Sequence, residues 1–346
     1  MSFTVIVLLT IVVLLALFLP FTMHVVEKEL EIFLFVLGIL AVSISRAWSG
    51  HLIIEALREP VAISLAVLIT GLLFRKFRMQ INKVIELIEI KTGLKPSIFC
   101  IVFILSLLSS VITAIVAALV LCEITTTLKL SRRDTVHVIV MGCFAIGLGA
   151  VLTPLGEPLS TIVTSKLSGP PHNAHFGYLF MLLWKFILPG VILFSFFAAR
   201  VKDGQNKTAA QLEHEDVKDI LTRAAKVFLF VTALVLFGRG LMPLAEISIM
   251  KLSAWALYWA NIISAILDNA TLAAIEILPS MTNKQIEFLL IALVVSGGFL
   301  IPGNIPNIIC ASKFKIKSKE WAKAALPVGI AVMFIYFIIL SAMPNI

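Results

Sequence analysis

Charge is scarce in this 346-residue sequence: Asp, Glu, Lys and Arg together make up 14% of it. A soluble globular domain carries roughly 25%, and a chain so poor in charge cannot cover a water-facing surface. Hydrophobic residues reach 60% and the mean hydropathy is +1.06, so the composition is that of an all-α polytopic membrane protein. Cysteine is also rare. Cys100, Cys122, Cys143 and Cys310 lie in or beside apolar stretches without CxxC spacing, which argues for small buried side chains and against disulfides or metal clusters. No GxxxxGK loop occurs, which sets ATP-driven transport aside. The 28 Lys and Arg outnumber the 20 Asp and Glu. They flank apolar segments without forming an aromatic-interleaved patch, so the excess reads as positive-inside topology and not as a nucleic-acid surface. The first apolar segment, Ser2 to His24, lacks a basic lead and a small-residue cleavage site and is expected to be a retained helix.

Apolar segments of spanning character run over 3–23, 30–46, 60–74, 135–166, 177–199, 220–238, 285–312 and 321–342. Two further apolar stretches, 97–124 and 252–279, behave differently. The first has basic flanks on both sides (Arg75 to Lys95 before it, Lys129 to Arg133 after it), so both ends belong on the cytoplasmic face. A single crossing cannot begin and end on one side: the stretch is either two very short crossings or a re-entrant hairpin, and the hairpin is expected, its turn covered by protein or lining a watery cavity. The second stretch has no basic bias at either end and is expected to enter from the opposite face. This gives eight crossings, two hairpins and both termini outside. Amphipathic 80–92 is expected to lie on the cytoplasmic leaflet. The charged segment RVKDGQNKTAAQLEHEDVKD suits a cytoplasmic connector.

Two passages repeat. LLSSVITAIVAALVLCEI (107–124) resembles IISAILDNATLAAIEI (262–277) at an offset that places Ser109 on Ser264. GAVLTPLGEPLSTIV (149–163) resembles GGFLIPGNIPNIICA (297–311), with Pro154 and Pro158 on Pro302 and Pro306. The expected organisation is N-terminal transmembrane helices (1–59), a first inverted repeat (60–199), a cytoplasmic connector (200–219) and a second inverted repeat (220–346). Each repeat holds a re-entrant hairpin and a broken transmembrane helix, the arrangement that marks secondary transporters and their binding sites.

The breaks are written in Pro154, Gly156 and Pro158 and in Pro302, Gly303 and Pro306, which interrupt helix hydrogen bonds and free carbonyl oxygens. Glu157 lies inside the first break. Asn304 and Asn307 lie in the second. Asp268 sits in the middle of an apolar segment, where a carboxylate is costly and functional by default. Asn269, Ser264 and Thr271 are candidate neutral ligands beside it. Ser109, Ser110 and Thr113 hold the equivalent places in the first hairpin. Oxygen donors of this kind suit hard monovalent cations, with Asp268 and Glu157 as the charged ligands of Na⁺ or Li⁺ and protons competing for the same oxygens. Glu123, Glu276 and His137 read as structural or interfacial, Asp134 as the cap of a helix starting near 135, and Lys185 as an interfacial cation or the partner of a carboxylate.

At these residues a family resemblance is visible. ISAILDN (263–269) and TPLGEP (153–158) resemble motifs of the ion transporter superfamily, and in particular of NhaD-type sodium/proton antiporters, over roughly 60–342. Glu157 stands where those proteins commonly place Asp, and the first hairpin reads SSVITA where they often carry a second acidic pair. The resemblance implies a cell-membrane cation/proton antiporter without enzymatic activity or cofactor, embedded in the lipid bilayer and dimeric. A sodium-coupled carrier of dicarboxylates or citrate on the same scaffold is the alternative. It lacks a Ser-Asn-Thr hairpin tip here, and Glu157 and Asp268 would repel its substrate.

Overall fold

The computed structural model describes residues 3–343 apart from 24, 27–28, 129, 203–216, 250–252 and 268; at 59, 74, 77–91, 245–249 and 254 only the backbone is described. Among the described residues the chain is all helical, with no β-strand. In chain order the helices are α1 (Phe3–Thr22), α2 (Leu30–Ser45), α3 (Gly50–Thr92), α4 (Leu94–Ile112), α5 (Ala114–Thr127), α6 (Arg132–Ala150) and α7 (Pro158–Lys166). They continue as α8 (Tyr178–Ala198), α9 (Val217–Ile249), α10 (Ala254–Ala260), α11 (Asn269–Glu276), α12 (Asn283–Ser296), α13 (Ile305–Phe314) and α14 (Ser318–Ala342). Short 3₁₀ turns cover Asn261–Ala265 and Ile301–Gly303. Among the described residues six helices are long and apolar enough to cross a membrane: α1, α4, α6, α8, α9 over Val217–Leu244, and α14. α2 and α5 are shorter apolar helices. The architecture is consistent with a multi-pass membrane protein.

The apolar segments become helices where expected, with two differences. The expected short crossing 60–74 and surface helix 80–92 are parts of one 43-residue helix, α3. Pro60 lies within α3 and does not end it, as neighbouring helices and local adjustment let a membrane helix absorb the lost hydrogen bond. The side chains that carry the amphipathic pattern over 80–91 lie outside the description. α9 runs past 238 through Pro243 to Ile249. Capping sets other boundaries. Asp134 does not start a helix at 135: Ser131 is the N-cap of α6, accepting from the Asp134 amide at 3.2 Å, and Asp134 is its third residue. α12 opens with a capping box between Thr282 and Gln285.

The same order of elements occurs twice: a long helix, a folded-back pair, a helix interrupted by a non-helical break, and a final long helix. α3 to α8 form the first group and α9 to α14 the second. α4 and α5 fold back on each other around Thr113. In the second group the Asn261 amide donates to Glu276 Oε2 at 2.9 Å, which brings the far end of α11 back to the start of the 3₁₀ turn. Contacts sort the helix ends. At one end of the bundle His137 Nε2 lies 2.7 Å from the Phe197 carbonyl, and Arg132 holds Glu320 and the carbonyls of Phe314 and Lys315. At the other end His172 contacts the Met281 carbonyl, Tyr178 donates to Asn283, and Lys185 pairs with Glu287 at 2.8 Å. α6 and α7 therefore run from the first end to the second, and α12 and α13 run back.

α9 lies along α2 and α3 through small residues. A Cβ on Gly240 would fall 2.5 Å from that of Ala41, so the two helices approach to backbone distance. Lys226–Glu31 and Arg239–Glu55 ion pairs flank the contact. The core between the groups is aromatic: Phe144, stacked on Phe194 within the first group at 4.7 Å, meets Gly298 and Gly329 of the second, and the buried Tyr336 hydroxyl donates to the Phe186 carbonyl at 2.8 Å.

Candidate functional site

Each folded-back pair is stitched at its tip to the break of its own group. In the first group the Ala114 amide donates to the Gly156 carbonyl at 2.9 Å, and Thr153 Oγ1 donates to the Ser110 carbonyl. Buried Ser109 Oγ reaches the Ile146 carbonyl at 3.0 Å as well as that of Ser106 at 2.6 Å. α4 meets α6 at backbone distance, because a Cβ on Gly149 would lie 1.7 Å from the Ser106 carbonyl oxygen. The tip residue, Thr113, has φ 76° and ψ 150°. That region belongs almost exclusively to glycine and costs about 1–3 kcal/mol for a side-chain-bearing residue. Thr113 also N-caps α5, accepting from Val116 N at 3.4 Å. A strained residue held between two helix termini is the kind of position that a functional site maintains.

The second group repeats these contacts. Ser264 Oγ, 155 residues beyond Ser109, reaches the Leu293 carbonyl at 3.3 Å. Ser296 Oγ donates to the Asn261 carbonyl at 2.6 Å, where Gly149 meets the Ser106 carbonyl in the first group. A Cβ on Gly156 would strike the Ala150 carbonyl, and one on Gly303 the Gly297 carbonyl. Glu157 and Asn304 are the N-caps of α7 and α13, with φ, ψ of −156°, 159° and −154°, 146°. Ser160 Oγ bonds the Val151 carbonyl, and Asn307 Nδ2 bonds those of Gly297 and Leu300 at 2.9 and 3.0 Å. These pairs are spaced by 147 residues (Gly149/Ser296, Ala150/Gly297, Gly156/Gly303, Glu157/Asn304, Ser160/Asn307). The register read from the prolines was 148. At a spacing of 147 the carboxylate Glu157 and the amide Asn304 occupy the same backbone position in the two groups.

The groups are then joined crosswise. α5 packs on α13 and α7 packs on α11. Lys313, in the last turn of α13, pairs with Glu123 of α5 at 2.8 Å, and Lys166, in the last turn of α7, donates to the Ala274 carbonyl of α11. Lys166 and Lys313 are also 147 apart. In both cases the C-terminal parts are tied, so the helices run parallel and the N-termini of α5, α7, α11 and α13 meet inside the bundle. Glu157 is buried at one of these starts. Asn269, buried and first in α11, has its Oδ1 bound by Ser264 while its Nδ2 has no hydrogen-bond partner. Asn304 Nδ2 lies 3.3 Å from the place a Cβ of Gly147 would take, so this amide reaches from the second break to α6 of the first group. Asp268, the position 155 residues beyond Thr113, lies outside the described residues.

A family model whose description is protein of unknown function, DUF1646, matches residues 5–343. The chain belongs to the DUF1646 family. No curated protein matches it.

In this DUF1646 chain the remaining candidate residues fall as follows. Pro158 and Pro306 open α7 and α13, and Pro302 sits in the 3₁₀ turn of the second break. Pro154 accepts from Thr161 Oγ1 through its carbonyl. Ser110 Oγ turns back to the Leu107 carbonyl of its own helix. Thr271 packs against Gly238 of α9, one turn away from the tip. Glu123 pairs with Lys313 and Glu276 accepts from Asn261, so both hold helices together, and Lys185 has a carboxylate partner in Glu287. Of the cysteines, Cys122, Cys143 and Cys310 are buried and Cys100 is exposed. Thr153, Ser160, Lys166 and Lys313 were not singled out from sequence. The 147-residue spacing of the two lysines, each in the last turn of a half-helix, was the signal that could have found them. Most of the connector, 203–216, lies outside the described residues. Among the described residues no three His, Cys, Asp or Glu side chains cluster as metal ligands. Among the described residues the oxygens near the tips are one carboxylate together with amide, hydroxyl and backbone carbonyl groups.

Proposed function

We propose that this protein is a secondary active transporter that exchanges a monovalent cation, Na⁺ or Li⁺, for protons by alternating access. Its two groups of helices would be inverted-topology repeats, each with a re-entrant hairpin and a broken transmembrane helix. The observation that carries this reading is the buried Glu157 at the N-cap of α7, beside α11 and its incompletely satisfied Asn269. A carboxylate at such depth is carried across a bilayer only when neutralised, by a proton or by a cation. Where one set of oxygens serves both, loading with one excludes the other, and movement of loaded forms alone gives exchange. Asp268, beside Asn269 in sequence, would supply the second charge, with Ser264 and the carbonyls of the breaks as neutral ligands. The crosswise ties of α5 to α13 and α7 to α11 let the four half-helices move as one unit against α2 and the long helices α3 and α9.

Four helix N-termini around one point favour an anion, which supports the organic-anion carrier as the second reading. The carboxylate of Glu157 at the same point opposes it. Purified protein in liposomes with an imposed pH gradient and an internal pH-sensitive dye separates the two. Rapid collapse of the gradient on adding Na⁺ or Li⁺, abolished in Glu157→Gln and Asp268→Asn, is the expected result. No response to cations together with Na⁺-dependent uptake of labelled succinate or citrate would transfer the protein to the anion carriers.

A further inference from the structure

The base of the second folded-back pair is closed by two buried residues that lack one hydrogen between them. Asn261, first in the 3₁₀ turn, is 0% exposed, and Glu276, last in α11, is 3% exposed. Asn261 Nδ2 donates to Glu276 Oε2 at 2.9 Å, while Asn261 Oδ1 and Glu276 Oε1 have no hydrogen-bond partner. An amide oxygen only accepts, and so does an ionised carboxylate. Two acceptors are thus left unserved inside the bundle, where each carries its full desolvation cost. The first group neutralises the glutamate near the end of its own pair differently: Glu123 is held by Lys313 at 2.8 Å. Lys166, 147 positions before Lys313, instead donates to the Ala274 carbonyl, two residues short of Glu276. What decides the state of Glu276 is the hydrogen missing between two acceptors, since a proton on Oε1 turns that oxygen into a donor for Asn261 Oδ1.

We propose that Glu276 is a proton-binding site: it is a neutral carboxylic acid in the folded protein, Oε1 donating to Asn261 Oδ1 while Oε2 accepts from Nδ2. A buried carboxyl that no cation pairs sheds its charge in this way, and acid and amide become a doubly bonded pair. The proton clasps the arm that starts at Asn261 to the far end of α11. Ser296 Oγ holds the Asn261 carbonyl at 2.6 Å, so the clasp also anchors α11 to the end of α12, beside the second break. The whole of α11 separates Glu276 from Asn269, and the proton stays in place whichever solute the protein moves.

Infrared difference spectra of the purified protein at neutral pH, parent minus Glu276→Gln, test it directly. The C=O band of a protonated carboxyl, shifting in D₂O, should appear without carboxylate bands. Asn261→Leu removes the donor to Oε2 and should move that band to higher frequency. Unfolding temperature in detergent is the second readout. Glutamine keeps the accepting oxygen and carries a hydrogen where the acid does, so Glu276→Gln should unfold within about 1 °C of the parent. Glu276→Leu takes away both bonds and strands the Asn261 amide, and should unfold roughly 2–6 °C lower. Carboxylate bands in place of the acid band would overturn the proposal, by making the two oxygens the ligands of a cation or of a water beside an ionised Glu276. A Glu276→Gln protein as unstable as Glu276→Leu would overturn it too, because the amide would then fail to replace the acid.

Discussion

Replacing Gly149 by alanine would place a methyl carbon 1.7 Å from the Ser106 carbonyl oxygen and 3.0 Å from Ser109 Oγ. The near obstacle is backbone within α4, which cannot rotate aside. Ordinary carbon contacts begin at about 3.5 Å, so α4 and α6 must part by roughly 2 Å. Such overpacking costs about 1–3 kcal/mol. The separation also removes the Ser109 to Ile146 hydrogen bond, at 3.0 Å in the intact protein, and a buried polar group left without its partner costs about 1–3 kcal/mol more. The sum is about 2–6 kcal/mol. At roughly 2 °C per kcal/mol for a chain of this size, the apparent unfolding temperature in detergent should fall by roughly 4–12 °C. Gly50→Ala is the control, since nothing lies within 4 Å of its added methyl, and it should leave the temperature unchanged or slightly raised. Gly297→Ala meets mainly the end of the Asn269 side chain, at 2.8 Å. That amide can rotate away, so stability should fall less than in Gly149→Ala while the tip loses its amide. An unfolding temperature for Gly149→Ala within about 1 °C of the parent would refute the backbone contact between tip and broken helix.

Thr113→Gly should stabilise the protein by about 1–2 kcal/mol, seen as a higher unfolding temperature, because glycine occupies the tip conformation without strain; a fall would mean that the 3.4 Å cap bond outweighs the strain. Glu123→Gln or Lys313→Met alone should each cost about 3–5 kcal/mol by leaving a buried charge without this partner, and the double variant should recover most of the loss. Additive losses in that cycle would show that the cross-tie contributes no coupling. In folded protein a maleimide should label Cys100 and spare Cys122, Cys143 and Cys310. A membrane-permeant two-electron thiol oxidant should join Cys122 to Cys310, whose sulfurs lie 3.1 Å apart, and peptide mapping of the oxidised protein would expose any other pairing.

Hydropathy and turn chemistry are local properties, and they carried much of the architecture. The apolar runs located the long helices, and the basic flanks of 97–124 pointed to a helix pair folded back within one apolar stretch, which α4 and α5 form. The Pro and Gly of TPLGEP and IPGNIP located the two breaks, because proline cannot continue a hydrogen-bond ladder wherever it sits. Proline was a weaker guide in α3: at Pro60 the surroundings override the residue's own preference, and the sequence offers no sign of it. Ser131 was overlooked as the cap of α6 because Asp134 also suits a helix start, and only the hydrogen bond decides between them.

What the amino-acid order determined by itself is the list of helices, breaks and tips and the presence of one acidic residue in the first break, since each follows from side chains adjacent in the chain. What only tertiary structure decided is which of these meet. The ties from Lys166 to Ala274 and Lys313 to Glu123 join residues more than a hundred positions apart, and the repeat register of 147, with Glu157 on Asn304, rests on contacts that close between the tips, the interrupted helices and the half-helices. The prolines alone give 148 because proline marks a break without fixing which residue of it begins the next helix. The hydrogen bonds of Ser160 and Asn307 to carbonyls across the breaks, with those of Ser109 and Ser264 to carbonyls of the interrupted helices, fix that residue, and with it the position at which a carboxylate in one half takes the place of an amide in the other.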